Sequence, residues 1–184
     1  MRRDQLEHAI RAATDITQQD AVIIIGSQAI LGSYTEDELP RAATLSDEVD
    51  VCPLNDDDAE SLATELDSVL GEMSMFHETH GFYIQGVGRR TAVLPRDWTD
   101  RLVRVENVNT KGRTGLCIEP HDLCVAKLIA NRPKDHRFVR GLLEAKFIQA
   151  DTLRERLTTV DGHEAAVELA LRWIDGANSA PQYT

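Results

Sequence analysis

The apolar positions of this chain change period several times, and each change marks an element. Leu6, Ala9, Ile10, Ala13 and Ile16 recur at helical spacing and predict an opening helix over residues 3–16. The continuous run Val22-Ile23-Ile24-Ile25 predicts a strand over 21–25, which ends in Gly26-Ser27, and Gln28 to Leu31 then predict a short helix. A loop punctuated by Gly32, Ser33 and Pro40 leads to a second strand at 45–52, where Val49 and Val51 alternate with Glu48 and Asp50. Asn55 and the three aspartates after it predict the cap of a helix over 57–70, with Leu62, Leu66, Val69 and Leu70 as its stripe. Short β-prone segments follow at 82–84, 91–94, 102–105 and 115–118. From Pro120 onward the pattern predicts helices at 121–131, 134–146, 151–159 and 163–175, with a frayed tail from Asn178. This order implies an α+β fold: a small mixed sheet followed by a C-terminal helical bundle. Residues 1–119 would form the α/β core, and residues 120–184 a helical part packed on it as a single compact unit.

With 184 residues, 42% of them hydrophobic and 28% charged, the chain reads as an ordinary soluble globular protein able to bury a core. No apolar run approaches the roughly 20 residues that cross a bilayer, and the first residues are polar and amphipathic rather than a signal peptide. Cys52, Cys117 and Cys124 show no framework spacing, which fits reduced thiols and a cytoplasmic location. A net charge of −11 argues against a generally basic nucleic-acid-binding surface. A local basic patch stands around Arg132-Pro133-Lys134, and Lys134, Arg137 and Arg140 repeat at i, i+3 and i+6 on a helix face.

The chemistry enters with the second strand. Side chains alternate faces along a strand, so Glu48 and Asp50 point the same way while Val49 and Val51 turn to the core. Two neighbouring carboxylates repel unless a cation sits between them, and hard divalent ions take oxygens from one or two carboxylates and from substrate phosphates. A Gly-Ser turn at a helix N-terminus offers backbone N–H groups to an anion. Together these pieces describe a site for a metal-bound nucleoside triphosphate. Plainer readings stand beside it: Gly26 as a turn glycine, Asp47-Glu48 as solvent-facing charge on an edge strand, Lys127 as a surface lysine. His77, Glu78 and His80 read as polar loop residues before a strand. Cys117, His121 and Cys124 have a spacing that could chelate zinc but lack an obvious fourth ligand, so Cys124 reads as a packed thiol and Trp98 and Trp173 as packing residues.

Gly26-Ser27 followed by a strand bearing Glu48-x-Asp50 resembles the polymerase-β-like nucleotidyltransferases. The later run from His121 to Asp135, with Lys127 and then Arg132-x-Lys134-Asp135, is similar to the minimal bacterial nucleotidyltransferases related to the AbiEii and MenT toxins of toxin–antitoxin systems. The resemblance covers roughly residues 20–145 and is carried by the ordered set rather than by any one motif. It implies a polymerase-β-like fold and transfer of a nucleoside monophosphate from an NTP, such as ATP, to an acceptor, with release of pyrophosphate. It implies Glu48 and Asp50 as ligands of Mg2+ or Mn2+, and Gly26, Ser27, Lys127 and Arg132 as nucleotide-binding residues. Asp135 would be a further catalytic carboxylate, for metal or for the acceptor hydroxyl. Implied partners are an RNA or tRNA end or a protein as acceptor, and a cognate antitoxin. A small-molecule acceptor, or a catalytically silent binding module on the same fold, remains the alternative. The chain departs from the family in carrying Glu48 where Asp is commoner, and in a long loop before the carboxylates. A third carboxylate, where the family has one on a later strand, would be Glu119 or Asp135.

Overall fold

The computed structural model describes residues 1–55 and 59–179. Helix α1 (Arg3–Thr17) leads into strand β1 (Ala21–Ile24), and a 3-10 helix (Ser27–Gly32) follows directly after Gly26. Strand β2 is Glu48–Pro53, and helices α2 (Ala59–Leu70) and α3 (Met75–His80) precede β3 (Tyr83–Gly86). After 3-10 turns at Arg89–Thr91 and Trp98–Arg101 come β4 (Val103–Val105) and β5 (Thr114–Cys117). Helices α4 (Pro120–Ala130), α5 (Pro133–Glu144), α6 (Ala150–Leu157) and α7 (Glu164–Ser179) complete the chain.

The sheet is mixed, in the order β3-β2-β1-β5-β4. Strand β1 pairs antiparallel with β2 and parallel with β5, while β2 pairs parallel with β3. This arrangement decides where the site lies. The C-terminal ends of β1 and β5 and the N-terminal ends of β2 and β3 all fall on one end of the sheet. Gly26-Ser27, Glu48 and the start of α4 therefore meet there.

The amphipathic helix α1 buries Leu6, Ala9, Ile10 and Ala13 completely against the sheet and α2. Helix α2 lies so close to β3 that a Cβ on Gly86 would come within 2.0 Å of the Ala63 carbonyl oxygen. Asp67 fixes that approach by accepting the Gly86 N–H at 2.7 Å. The buried cluster continues from the sheet into Leu123, Leu128, Phe138, Leu142, Leu153 and Ile174, so the C-terminal helices share one core with it. Among the described residues no helix is long and apolar enough to cross a membrane.

Several expected elements differ from those observed. Residues 91–94 pair with no strand: Thr91 closes a 3-10 turn, and Ala92 and Leu94 spend their apolar side chains packing against the core just before Pro95. The second strand starts at Glu48 rather than 45, because the Ser46 hydroxyl accepts the Glu48 N–H and Leu45 turns outward, 70% exposed. It also lies inside the sheet rather than at its edge. His77, Glu78 and His80 belong to a helix and not a loop; Ser74 caps it, and Gly81 ends it at φ +69°. His80 and Phe76 then pack on His8 and Phe82. Residues 27–31 form a 3-10 turn and not an α-helix. The expected cap at Asp56 to Asp58 lies outside the described residues. Trp173 stacks on His136 of α5 at 5.0 Å, and Cys52, Cys117 and Cys124 are buried free thiols.

Glu119 is the N-cap of α4 and accepts the His121 and Asp122 N–H groups. Its carboxylate also meets the His121 ring and Arg156, while fully buried Asp122 pairs with Arg101 at 2.8 Å and Arg156 at 2.9 Å. Burial would raise Glu119, but hydrogen bonding and charge from His121, with Arg156, outweigh it and hold the carboxyl at about 2. A carboxylate depressed in the folded state adds stability that is complete above its unfolded value, near 4.5, and is lost as pH falls toward about 2. Glu119→Gln is therefore expected to unfold about 1–3 kcal/mol more easily at pH 6. Its stability should fall less steeply than the wild type's between pH 4.5 and 2; urea titrations across that range compare the slopes.

Candidate active site

The site is built where β1 ends beside the start of β2. The Ile25 N–H donates to the Asp50 carbonyl at 3.0 Å, which fixes the level of Gly26 against β2. Gly26 is extended, with φ −78° and ψ −163°, so its backbone needs no glycine; the space beside it does. A Cβ there would sit 1.5 Å from Asp50 Oδ2 and 2.4 Å from Cγ. The Asp50 carboxylate thus lies directly against the Gly26 backbone.

Val49 and Val51 are fully buried, and Glu48 and Asp50 occupy the opposite face of β2, half-buried, as period-2 alternation requires. On the neighbouring strand Tyr83 stands opposite Glu48 and Gln85 opposite Asp50. Burial first, then the charge of Glu48, pushes the Asp50 carboxyl up to about 6, with Lys127 and Lys134 pulling it partly back. Burial, Glu48 and the nearby Glu72 and Asp47 push the Tyr83 phenol up to about 12, which keeps it a neutral hydrogen-bond donor.

The cationic side comes from α4 and α5. Helix α4 ends at Asn131, whose φ of +54° makes the sharp turn that Arg132-Pro133 continues into α5. This turn folds Asp135 back beside Lys127. Lys127 is 7% exposed, not a surface lysine; its Nζ donates to Ser27 Oγ at 2.7 Å and to Asp135 Oδ1 at 3.2 Å. The same ammonium stands 4.4 Å from the Phe138 ring centroid. Arg132 Nε donates to Asp135 Oδ2 at 2.5 Å. Asp135 is 1% exposed, and burial alone would raise its pKa. Arg132 and Lys127 outweigh that, so it stays ionised. With one oxygen on each cation, Asp135 holds the place of a counter-ion.

Glu48, Asp50, Gly26, Ser27, Lys127, Arg132 and Asp135 all line one cleft of about 810 Å³ between the sheet end and the helices. Lys134 and Arg137 join them, whereas Arg140 turns away onto Trp173, 5.8 Å from the ring centroid. The basic stripe on α5 is thereby split. Glu119 is not on this wall; its oxygens are taken by the α4 cap and Arg156. Sequence reasoning missed Gln85, His163 and the apolar wall of Ala42, Ala43, Val93 and Ala126, because strand register and helix placement bring them in without a motif. Among the described residues no group of three or more His, Cys, Asp or Glu is placed to hold a metal ion. Glu48 and Asp50 are a pair, with hard oxygen donors and a repulsion that Lys127 and Lys134 offset only in part, and that chemistry suits a divalent ion whose remaining ligands come from elsewhere.

A carboxyl raised in the folded state favours folding below its unfolded pKa, near 3.8, and loses that contribution as pH rises through about 6. Without divalent ions, Asp50→Asn should therefore exceed the wild type in stability at pH 7 by on the order of 1–3 kcal/mol. The difference should vanish below about pH 4, where both side chains are neutral. Thermal melts in chelator from pH 4 to 8 measure it, and equal melting temperatures at pH 7 would contradict the strained carboxylate pair.

No curated protein and no solved structure gives a significant match to the chain. Residues 4–175 match the DUF6036 family, described as nucleotidyltransferases of unknown function. The match spans nearly the whole chain, from α1 into α7, and takes in every residue of the cleft. A mixed five-stranded sheet with a carboxylate pair facing buried and exposed cations across one cleft agrees with that description, and the chain belongs to the DUF6036 family of nucleotidyltransferases.

Proposed function

We propose that the cleft binds a nucleoside triphosphate together with a divalent cation, Mg2+ or Mn2+, and transfers its nucleoside monophosphate to an acceptor hydroxyl. The observation that carries this reading is the opposition within one cleft of the Glu48–Asp50 pair and the Lys127–Ser27 contact. Glu48 and Asp50 would hold the cation, which when bound neutralises charge on the attacking and leaving oxygens. Lys127 and Ser27, with the N–H groups that follow Gly26, would hold the triphosphate, and exposed Arg132 would add a second positive contact. The acceptor oxygen bonds to the α-phosphorus, the bond from that phosphorus to the pyrophosphate oxygen breaks, and the hydroxyl proton passes to solvent. Asp135, ionised and engaged by two cations, positions Lys127 and Arg132 instead of taking that proton.

For the acceptor, an RNA end such as that of tRNA, or a protein side chain, follows the resemblance to the AbiEii and MenT enzymes. Lys134 and Arg137 in the cleft wall favour a phosphate-bearing acceptor. A toxin role and a cognate antitoxin belong to the same resemblance. The diversion of Arg140 onto Trp173 and the net charge of −11 favour a small-molecule acceptor as the second reading. The complete Glu48, Asp50 and Lys127 set weighs against a silent binding module.

The reading is tested by incubating the protein with each α-labelled NTP, Mg2+, and total cellular RNA and protein, then following the label. Label on an RNA or protein band, abolished by Asp50→Asn, is the expected result. Label recovered only in small molecules selects the second reading, and no transfer from any NTP to any fraction contradicts both. Lys127→Ala should weaken binding of a non-hydrolysable NTP about 10–100-fold in calorimetry, since a charge-assisted contact is lost. Gly26→Ala should cut transfer at least about 100-fold by forcing the Asp50 side chain aside.

A further inference from the structure

Strand register places one more side chain on the carboxylate face. In the parallel β2–β3 pair Gln85 stands opposite Asp50 and Tyr83 opposite Glu48, with Ile84 buried on the other face beside Val49. Directly paired strands lie about 4.8 Å apart, so the Gln85 amide extends from the position nearest Asp50 on that face. Gln85 is exposed, lines the cleft, and its side chain makes no hydrogen bond among the described residues. No packing or capping duty accounts for it. A carboxylate at this position would complete a trio with Glu48 and Asp50; Asp135 is committed to Lys127 and Arg132 and Glu119 to the α4 cap, while Asp47 and Glu72, near Tyr83, do not line the cleft.

We propose that Gln85 holds the anionic count of this face at two, so that the divalent cation enters as a complex with the triphosphate and does not bind ahead of it. This rests on the nucleotide reading above. Cation affinity rises with the number of charged ligands, and two half-buried carboxylates with a neutral amide make a weak site for a free divalent ion. The triphosphate brings the missing oxygens, and its excess negative charge finds Lys127, Arg132 and Lys134 on the opposite wall. Each half of the ligand therefore supplies what the other half's wall lacks. The site is selective for the metal–nucleotide complex over either component.

Mn2+ binding, followed by electron paramagnetic resonance and calorimetry, tests this in the full-length wild type, Gln85→Glu and Gln85→Ala, with and without a non-hydrolysable NTP. The wild type should take Mn2+ at least about tenfold more tightly when the analogue is present. Gln85→Glu should raise nucleotide-free Mn2+ affinity by about tenfold or more, an increase lost when Asp50→Asn is added. Gln85→Ala should leave nucleotide-free affinity unchanged, which also shows that the position tolerates substitution. Three results would overturn the inference while leaving the nucleotide reading standing: equal Mn2+ affinity with and without analogue, an unaltered affinity in Gln85→Glu, or a tenfold loss in Gln85→Ala. A wild type that binds no analogue under any condition overturns the nucleotide reading and this inference with it.

Discussion

A lysine ammonium removed from solvent must be paired, and Lys127 is paired on both sides of the molecule at once. One hydrogen bond runs to Ser27 at the end of the sheet and another to Asp135 at the start of α5, with the Phe138 ring beneath. Leaving that charge buried without these partners would cost several kcal/mol. The Asn131 turn, the Arg132–Asp135 pair and the extended approach at Gly26 therefore all answer to one requirement. They bring three segments of chain to the same ammonium. The helical part is fastened to the sheet through the candidate site itself as well as through the apolar core.

The chain as a whole is strongly acidic, yet the cleft is not. Lys127, Arg132, Lys134 and Arg137 line it against Glu48, Asp50 and Asp135, and one of those carboxylates is already spent on two of the cations. The strands carry the negative wall and the helices the positive one. Such a divided lining suits a ligand that is itself a cation joined to a polyanion. The acidic exterior keeps unrelated polyanions at a distance, so the positive wall acts locally within the concave site, where the field is focused.

Much of this was legible because alternation on a strand is a geometric rule. Glu48 and Asp50 had to share a face once Val49 and Val51 went to the core, and a Gly-Ser turn after an apolar run could be placed at a strand end. Fold class followed from the order of elements. Other features depended on placement that no local pattern encodes. Residues 91–94 carry a strand's composition but spend it on packing beside Pro95. His77 to His80 form a helix because Ser74 and Gly81 bracket them, a short-range signal outweighed in the sequence by the polar look of the segment. The burial of Lys127 and the engagement of Asp135 depend on how α4 turns into α5. Arg137 and Arg140 share a helix face in sequence, yet the Trp173 ring draws the second away. Gln85 has no motif at all; only register brings it beside Asp50.

The sheet's connectivity also sets an order of assembly. Ile23 on β1 pairs with Leu116 on β5, and Ser27 meets Lys127 across 100 residues of sequence. Contacts of such long range are expensive in loop entropy before they stabilise anything, so sheets of this kind close late in folding. During synthesis β1 and β2 can pair early, but the other side of β1 has no strand to cover it until the chain has passed Cys117. The ammonium's two partners come together only once Asp135 has been made, and a nascent chain that has not reached Lys127 presents the carboxylate face without the opposing cations. A copy that lacks α4 and α5 has only one of the two walls, and the divided lining exists once both helices are in place.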